Sequence, residues 1–98
     1  MKFEWDELKR LTNLQKHGLD FKDAAEIFDH PMLTKLDRRY DYGEERWVGI
    51  GLTHNRVAVV VYIEIDEDDL IRIISLRKAL SHERKEYERY ISYGLGSN

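Results

Sequence analysis

The stretch Arg72-Ile73-Ile74-Ser75-Leu76-Arg77-Lys78-Ala79 runs from an apolar strand pattern into a cationic end. The segment before it, residues 56–65, is the most β-branched part of the chain, which predicts a central strand paired with this stretch. Residues 66–69 are the predicted turn between them. Cationic side chains on a buried strand are costly unless they emerge at an edge or cleft that an anion can enter. The stretch therefore gives a first indication of function as well as of fold.

Length and composition limit the class of protein. A chain of 98 residues suffices for one modest core, and we expect a single domain over residues 1–93 followed by a flexible tail, residues 94–98. Because the chain has no cysteine, a disulfide framework and a thiolate metal site are excluded. No apolar run approaches the roughly 20 residues that span a bilayer, so a cytoplasmic protein without membrane contact is expected. A net charge of -3 argues mildly against wholesale coating of nucleic acid, although a local basic cleft can coexist with it.

Two helices are predicted after a short N-terminal strand at residues 2–5. Asp6 is the predicted N-cap of a helix that runs to about His17 and stops at Gly18. Asp20 caps a second helix that ends at His30-Pro31. The predicted buried stripes are Trp5, Leu8, Leu11 and Leu14 in the first helix and Phe21, Ala24, Ala25 and Phe28 in the second.

A polar stripe on the first helix has two interpretations. Lys9, Asn13 and Lys16 recur at helical spacing, and His17 follows Asn13 by one turn. In the first interpretation the stripe is a solvated face, whose last residues favour the negative end of the helix dipole. In the second, Lys16 and His17 point into a cleft. Spacing alone favours the solvated face.

Strands and a last helix complete the predicted fold. Strands at residues 32–36, 44–53 and 56–65 lead into the opening stretch through short turns, which predicts an antiparallel meander. We therefore expect an α+β fold, in which the N-terminal strand and helix pair pack on a four- to five-stranded antiparallel sheet with a C-terminal helix. The wholly apolar face of the central strand, which the helices are expected to cover, comprises Val57, Val59, Val61, Ile63 and Ile65. Gly49 and Gly51 leave room for a close approach or mark a bend.

The last helix is predicted from an N-cap at Ser81 to about Tyr93. Its apolar stripe is thin and aromatic, comprising Leu80, Tyr87, Tyr90 and Ile91. Tyr87 has two interpretations: an exposed ring that stacks on a base, or a ring that docks the helix onto the sheet. Docking is the favoured interpretation.

An ordered set of motifs resembles the BrnT family, whose members are toxins of type II toxin–antitoxin pairs. The motifs are Phe3-Glu4-Trp5-Asp6, Asn13 with Lys16-His17-Gly18, Phe21 through Ala25 with Phe28, Gly43-Glu44-Glu45-Arg46, the stretch 72–79, and Glu83-Arg84 with Tyr87. The resemblance covers most of the chain, and the ordered set is far more specific than any one motif. It implies a RelE-like fold.

The resemblance also implies an activity and a partner. Proteins of this kind are metal-independent endoribonucleases that cleave RNA by 2′-hydroxyl attack, use no cofactor and inhibit translation. A cognate antitoxin, BrnA-like and DNA-binding, neutralises them, and promoter DNA is contacted only through the toxin–antitoxin complex. Cleavage without a metal requires activation of the 2′-hydroxyl, stabilisation of the phosphorane charge and protonation of the leaving 5′-oxygen.

Candidate catalytic residues follow from the resemblance and from these three requirements. Arg46 and Arg77 are assigned to the scissile phosphate, because guanidinium donors match phosphate oxygens. Lys16 is assigned to phosphate binding and His17 to proton transfer, for which histidine is suited near neutral pH. Glu45 is a candidate base or an orienting partner of Arg46.

Candidate substrate contacts complete the set: Arg72 as a weaker third arginine, with Lys9, Asn13 and Tyr87. Each arginine has an alternative role, because an arginine at a strand end commonly pairs with a carboxylate. For Arg72 an ion pair is the favoured alternative. We hypothesise that the three arginines converge with Lys16 and His17 in one cleft.

A function of another class remains open on sequence grounds. In this alternative the protein is a non-catalytic interaction module that acts with a DNA-binding partner in an autorepressor complex. The joint presence of Lys16, His17, Arg46 and Arg77 favours the enzyme.

Overall fold

A computed structural model of the chain describes residues 1–39, 41, 43–65 and 69–96, with the backbone alone for residues 95 and 96. Within these ranges the chain forms five strands, three α-helices and one 3-10 turn. The strands are β1 (Lys2–Trp5), β2 (Leu33–Leu36), β3 (Trp47–Thr53), β4 (Arg56–Ile65) and β5 (Leu70–Lys78); the helical segments are α1 (Glu7–His17), the 3-10 turn (Phe21–Asp23), α2 (Ala24–Phe28) and α3 (Ser81–Gly96).

Parts of three predicted segments lie outside the described residues. They are residues 66–68 of the predicted turn before the opening stretch, residues 40 and 42 of the turn after β2, and residues 97 and 98 of the predicted tail. The backbone of residues 94–96, also assigned to that tail, belongs to α3.

The sheet has the strand order β1-β5-β4-β3-β2 and is mixed. Strands β2 to β5 form the predicted antiparallel meander, whereas β1 pairs with β5 in parallel, with Lys2 opposite Leu70 and Trp5 opposite Ile73. The prediction of a wholly antiparallel sheet is therefore wrong. Tight turns force neighbouring strands to reverse, but β1 and β5 are separated by most of the chain, so no turn fixes their relative direction.

The two sheet faces carry separate apolar clusters. The 3-10 turn and α2 pack on Ala58, Val60 and Tyr62 of β4, and α3 places Tyr87 on Ile50 and Val59. The N-terminal helical segments thus cover the face of β4 opposite the wholly apolar one, and α3 alone covers part of the latter. This arrangement corrects the predicted coverage. Gly51 and Ala58, which are paired across β3 and β4, leave room for α2 on this face.

Gly51 permits the close approach of α2. A Cβ atom at this position would lie 2.8 Å from Cγ2 of Ile27, a side chain that is fully buried. Because real Cβ atoms do not approach so closely, a larger residue at position 51 would push α2 away from β3. The expectation of a close approach at this glycine is confirmed.

Helix α1 has the predicted ends, but its leucines face outward. The side chain of Asp6 accepts the N–H of Lys9, and Gly18 ends the helix with a φ of 72°. Leu8 is 75% exposed and Leu11 is 48% exposed, whereas Asn13 is buried. The predicted leucine stripe is therefore wrong as a buried face.

Asn13 explains the orientation of α1. The ladder between β1 and β5 ends at Ile73, and beyond it the N–H of Leu76 donates to Oδ1 of Asn13 at 3.2 Å, while Nδ2 of Asn13 donates to the Leu76 carbonyl at 2.8 Å. Nδ2 also donates to the Leu19 carbonyl at 3.1 Å. The amide of Asn13 thus satisfies the backbone N–H and C=O of Leu76 at the sheet edge where β1 stops. Because these groups need a hydrogen-bonding partner, the inner face of α1 must be polar.

Three element boundaries differ from the prediction for local reasons. The N-cap of α3 is Leu80 rather than Ser81, because Oε1 of Glu83 accepts the Leu80 N–H at 2.8 Å and the Arg84 N–H donates to the Leu80 carbonyl. Strand β3 begins at Trp47 rather than at residue 44. The second predicted helix is divided into the 3-10 turn and the short α2. No helix in the described part of the chain is long and apolar enough to cross a membrane.

Candidate active-site cleft

A cleft of about 640 Å³ opens on the sheet face that α3 partly covers. Its floor includes Val48, Val59 and Val61, and its walls come from the end of α1, the end of β2 with the turn after it, the end of β5 and the first turn of α3. The polar lining residues are Lys16, His17, Lys35, Asp37, Arg38, Arg39, Ser75, Arg77 and Glu83. Five lysine or arginine side chains against two carboxylates leave a charge of +3, in a chain whose net charge is -3. The acidic protein therefore has a local site for an anion.

Arg77 is held in the cleft by Glu83. Nη1 and Nη2 of Arg77 donate to the two carboxylate oxygens of Glu83 at 2.8 and 2.9 Å. Hydrogen bonding from Arg77 lowers the pKa of Glu83 to about 2, with a further contribution from the Leu80 N–H. The same hydrogen bonds raise the pKa of Arg77. Glu83 is therefore ionised near neutral pH and is a weak proton acceptor, so its role is to fix the guanidinium plane.

A second guanidinium–carboxylate pair stands on the opposite wall. Nε and Nη2 of Arg39 donate to the two carboxylate oxygens of Asp37, each at 2.9 Å. The side chain of Asp37 is 1% exposed and that of Arg39 is 66% exposed. The buried carboxylate thus anchors an arginine whose outer surface faces solvent.

Three further polar side chains line the cleft. Lys16 and His17 occupy the last turn of α1, where Gly18 ends the helix at the cleft. Arg38 lies in the turn after β2 and is exposed. Within the described parts of the chain, none of these three side chains forms a hydrogen bond or an ion pair. Their donors are therefore available to a bound ligand.

The turn residues Arg38 and Arg39 were not among the predicted site residues. Their adjacent positive charges after a strand are the only local signal, and a solvated turn gives the same signal. Their place beside Arg77 depends on the order of the strands, which brings the end of β2 to this face.

Arg46 and Glu45 lie beside the cleft rather than in it. They line a neighbouring concavity of about 350 Å³, which shares Leu36, Asp37 and Arg38 with the cleft. Nε of Arg46 donates to Glu44 at 3.2 Å. Arg46 immediately precedes β3, which is two strands from β5 in the sheet, so its separation from Arg77 follows from the strand order.

Arg72 lies outside the cleft. Glu4 of β1 stands directly opposite Arg72 in the parallel ladder, and Nη1 of Arg72 donates to Oε2 of Glu4 at 2.7 Å. The structure therefore shows the ion pair that was the favoured alternative. Of the five residues expected to converge, it brings together Lys16, His17 and Arg77, with Arg46 nearby, and the convergence hypothesis is wrong for Arg72.

The remaining predicted substrate contacts have different surroundings. Lys9 lines a groove of about 330 Å³ along α1, which joins the cleft through Lys16, His17 and Ser75. Asn13 also borders this groove, but its amide is used by the backbone of β5.

Tyr87 is 4% exposed, and its hydroxyl donates to the Pro31 carbonyl at 3.1 Å. Its ring is buried between α3 and the sheet, so the docking interpretation holds and the proposed stacking on a base is corrected.

The fold and the cleft define a small α+β protein with a cationic site suited to phosphate groups. A family model described as "Ribonuclease toxin, BrnT, of type II toxin-antitoxin system" matches residues 5–83 of the 98-residue chain. The chain therefore belongs to the BrnT family, and the sequence resemblance is confirmed. Membership implies an RNA target and an antitoxin partner. A search among curated proteins finds no match.

Proposed function

We propose that this toxin cleaves RNA without a metal ion, through attack of a 2′-hydroxyl on the adjacent phosphate in the cleft. The observation that supports the proposal is the meeting of Lys16, His17 and Arg38, which have no internal partner among the described residues, with the anchored guanidinium of Arg77. Cationic donors around one phosphate stabilise the charge that develops in the phosphorane.

The proposed reaction balances as an internal transesterification. His17 accepts the proton of the 2′-hydroxyl, the 2′-oxygen forms a bond to phosphorus, and the bond from phosphorus to the 5′-oxygen breaks. The leaving 5′-oxygen takes a proton from water in the open cleft. The products are a 2′,3′-cyclic phosphate on one fragment and a 5′-hydroxyl on the other.

The cations have distinct parts in this proposal. Arg77 presents a fixed guanidinium to the phosphate, since Glu83 holds its orientation. Lys16 and Arg38 approach from the two walls and bind phosphate oxygens when the substrate enters. Arg46 and Glu45, in the neighbouring concavity, contact the next part of the RNA chain.

The test is RNA cleavage by the purified protein with a metal chelator present, followed by analysis of the fragment ends. We expect cleavage with cyclic phosphate and 5′-hydroxyl ends. Lys16→Ala and Arg38→Ala should each lower the rate by about 10² to 10³, the usual effect of losing one transition-state donor. His17→Gln should lower it by about 10² to 10⁴.

The matched controls are Lys22→Ala and His30→Gln, which replace exposed residues of the same types that do not line the cleft. They should cleave at the wild-type rate. A folded wild-type protein that cleaves no RNA would overturn the proposal and leave the interaction module as the function. Cleavage that stops with the chelator would overturn the metal-free mechanism alone.

Family membership supports the finer points of the proposal. We infer that cleavage inhibits translation in the cytoplasm, that the neutralising partner is a BrnA-like antitoxin with a DNA-binding domain, and that promoter DNA is contacted only through the complex. We also infer a RelE-like arrangement of the sheet and helices. Copurification with the antitoxin, followed by DNA binding with and without it, tests the partner assignment.

A further inference from the structure

A second cationic concavity lies on the other side of the first turn of α3. It has a volume of about 410 Å³, and its lining includes Arg56 from the start of β4, Lys78 from the end of β5 and Arg84 from α3. We name the surface formed by these three residues the flank patch. The remaining lining residues are Leu52, Asn55, Val57, Ala79 and Glu88.

The cations of the flank patch form no ion pairs with the residues that the structure describes. All three cationic side chains are exposed. None of them forms a hydrogen bond or an ion pair with another side chain in the part of the chain that the structure describes. Glu88 is the single carboxylate among the described lining residues, and it forms no ion pair with Arg84, one turn earlier on α3. Three cations against one carboxylate leave a charge of +2 around this concave surface, which favours a polyanionic ligand.

The flank patch adjoins the candidate active site. Arg77 lines the cleft and Lys78, the next residue, lines the patch; Glu83 lines the cleft and Arg84, the next residue, lines the patch. Consecutive Cα atoms are about 3.8 Å apart, so the two concavities lie on either side of the end of β5 and the first turn of α3. One polyanion can therefore contact both.

We propose that the flank patch is a second RNA-binding site, which holds the phosphates of nucleotides that extend beyond the cleft. The apolar lining of Leu52, Val57 and Ala79 offers contact surface for sugars and bases, while the three cations bind the backbone. This inference rests on the proposed ribonuclease function, because that function supplies the RNA in the cleft. It assigns affinity for long RNA to residues that take no part in the chemistry.

The probe is a single-stranded RNA of about 12 nucleotides, longer than the cleft needs, compared with one of about 4 nucleotides. Both carry 2′-O-methyl groups at every sugar, so that neither is cleaved, and fluorescence anisotropy measures the dissociation constant. The test variant is Arg56→Ala with Lys78→Ala and Arg84→Ala. The control variant is Lys22→Ala with Lys85→Ala and Arg89→Ala, which removes the same charge from exposed positions outside both concavities.

We expect the test variant to bind the long RNA about tenfold more weakly than the control variant does, at low salt. The slope of log affinity against log salt concentration should fall by about 2, since each phosphate contact contributes about 0.7 on a single strand. The short RNA should bind both variants equally. Thermal unfolding of both variants checks that they are folded.

Two other outcomes overturn the inference and are distinguishable. If the wild-type protein binds long RNA and the test variant binds it equally well, the flank patch is not an RNA site, and the proposed ribonuclease function stands. That result is also the one expected if the patch instead contacts a protein partner. If the wild-type protein binds neither RNA, both the inference and the proposed function fail.

Discussion

The carboxylate of Glu83 accepts three hydrogen bonds from two residues. Its carboxylate accepts both forked donors of Arg77 and the N–H of Leu80, so one side chain caps α3 and orients the arginine at the end of β5. The sequence predicted, as an alternative role, that Arg77 pairs with a carboxylate, but it did not specify which one. The start of α3 determines which carboxylate lies near Arg77. Glu83 itself fixes that start, because it accepts a hydrogen bond from the Leu80 N–H.

Replacement of Glu83 tests this pair at the residue scale. Glu83→Gln removes the charge and keeps an oxygen that still accepts the Leu80 N–H. The pKa of Glu83 lies at about 2 in the folded protein, below its usual 4.5, so its ionised form stabilises the fold fully above 4.5, and this contribution is lost as the pH falls towards 2. We expect the variant to be about 2 kcal/mol less stable near neutral pH.

Urea unfolding across this pH range is the measurement. The difference between wild type and variant should shrink as the pH falls below 4.5. Glu88→Gln, on an exposed carboxylate of the same helix, is the control and should match the stability of the wild type near neutral pH. A difference that persists unchanged in acid would show that the pair with Arg77 does not account for the stability.

At the scale of elements, α1 shows what local pattern can and cannot predict. The cap at Asp6 and the stop at Gly18 were predicted correctly, because both depend on a few neighbouring residues. The buried face of α1 was not predicted correctly, because the leucine pattern assumes that the helix lies over an apolar sheet face. This helix lies at the sheet edge, where the free groups of Leu76 require an amide.

Asn13→Ala tests the contribution of that amide. The change leaves the N–H and carbonyl of Leu76 and the carbonyl of Leu19 without their partner. We expect a loss of about 3 kcal/mol in the free energy of unfolding, measured by urea denaturation. Gln15→Ala, on the exposed side of the same helix, should change it by less than about 0.5 kcal/mol. Equal effects of the two changes would contradict the structural role of Asn13.

At the scale of the whole molecule, the predictions that failed were those that depend on long-range strand order. Turn signals correctly predicted the meander of β2 to β5, since each turn is local. The sequence does not encode the direction of β1 in so direct a way. The same limit applies to the cleft, where predicted residues from α1 and β5 meet Arg38 and Arg39, which only the sheet order brings there.

The contrast between an acidic chain and a basic cleft gives a prediction for the whole molecule. If the net charge of -3 governed the approach of RNA, added salt would screen the repulsion and speed cleavage. Because the cleft carries +3, we expect local attraction to dominate, and kcat/KM for RNA cleavage should fall as salt rises. The measurement is kcat/KM over a salt series, with the folded state checked at each concentration. A rate that rises with salt would contradict it.

The position of β5 between β1 and β4 bears on when the cleft can form during synthesis. Lys16 and His17 are made early, whereas Arg77 and its partner Glu83 are made late, and β1 has no neighbour in the sheet until β5 is present. A nascent chain on the ribosome therefore carries no assembled cleft until β5 and the first turn of α3 have emerged. Until then, the ribosome that makes the toxin works beside an incomplete site.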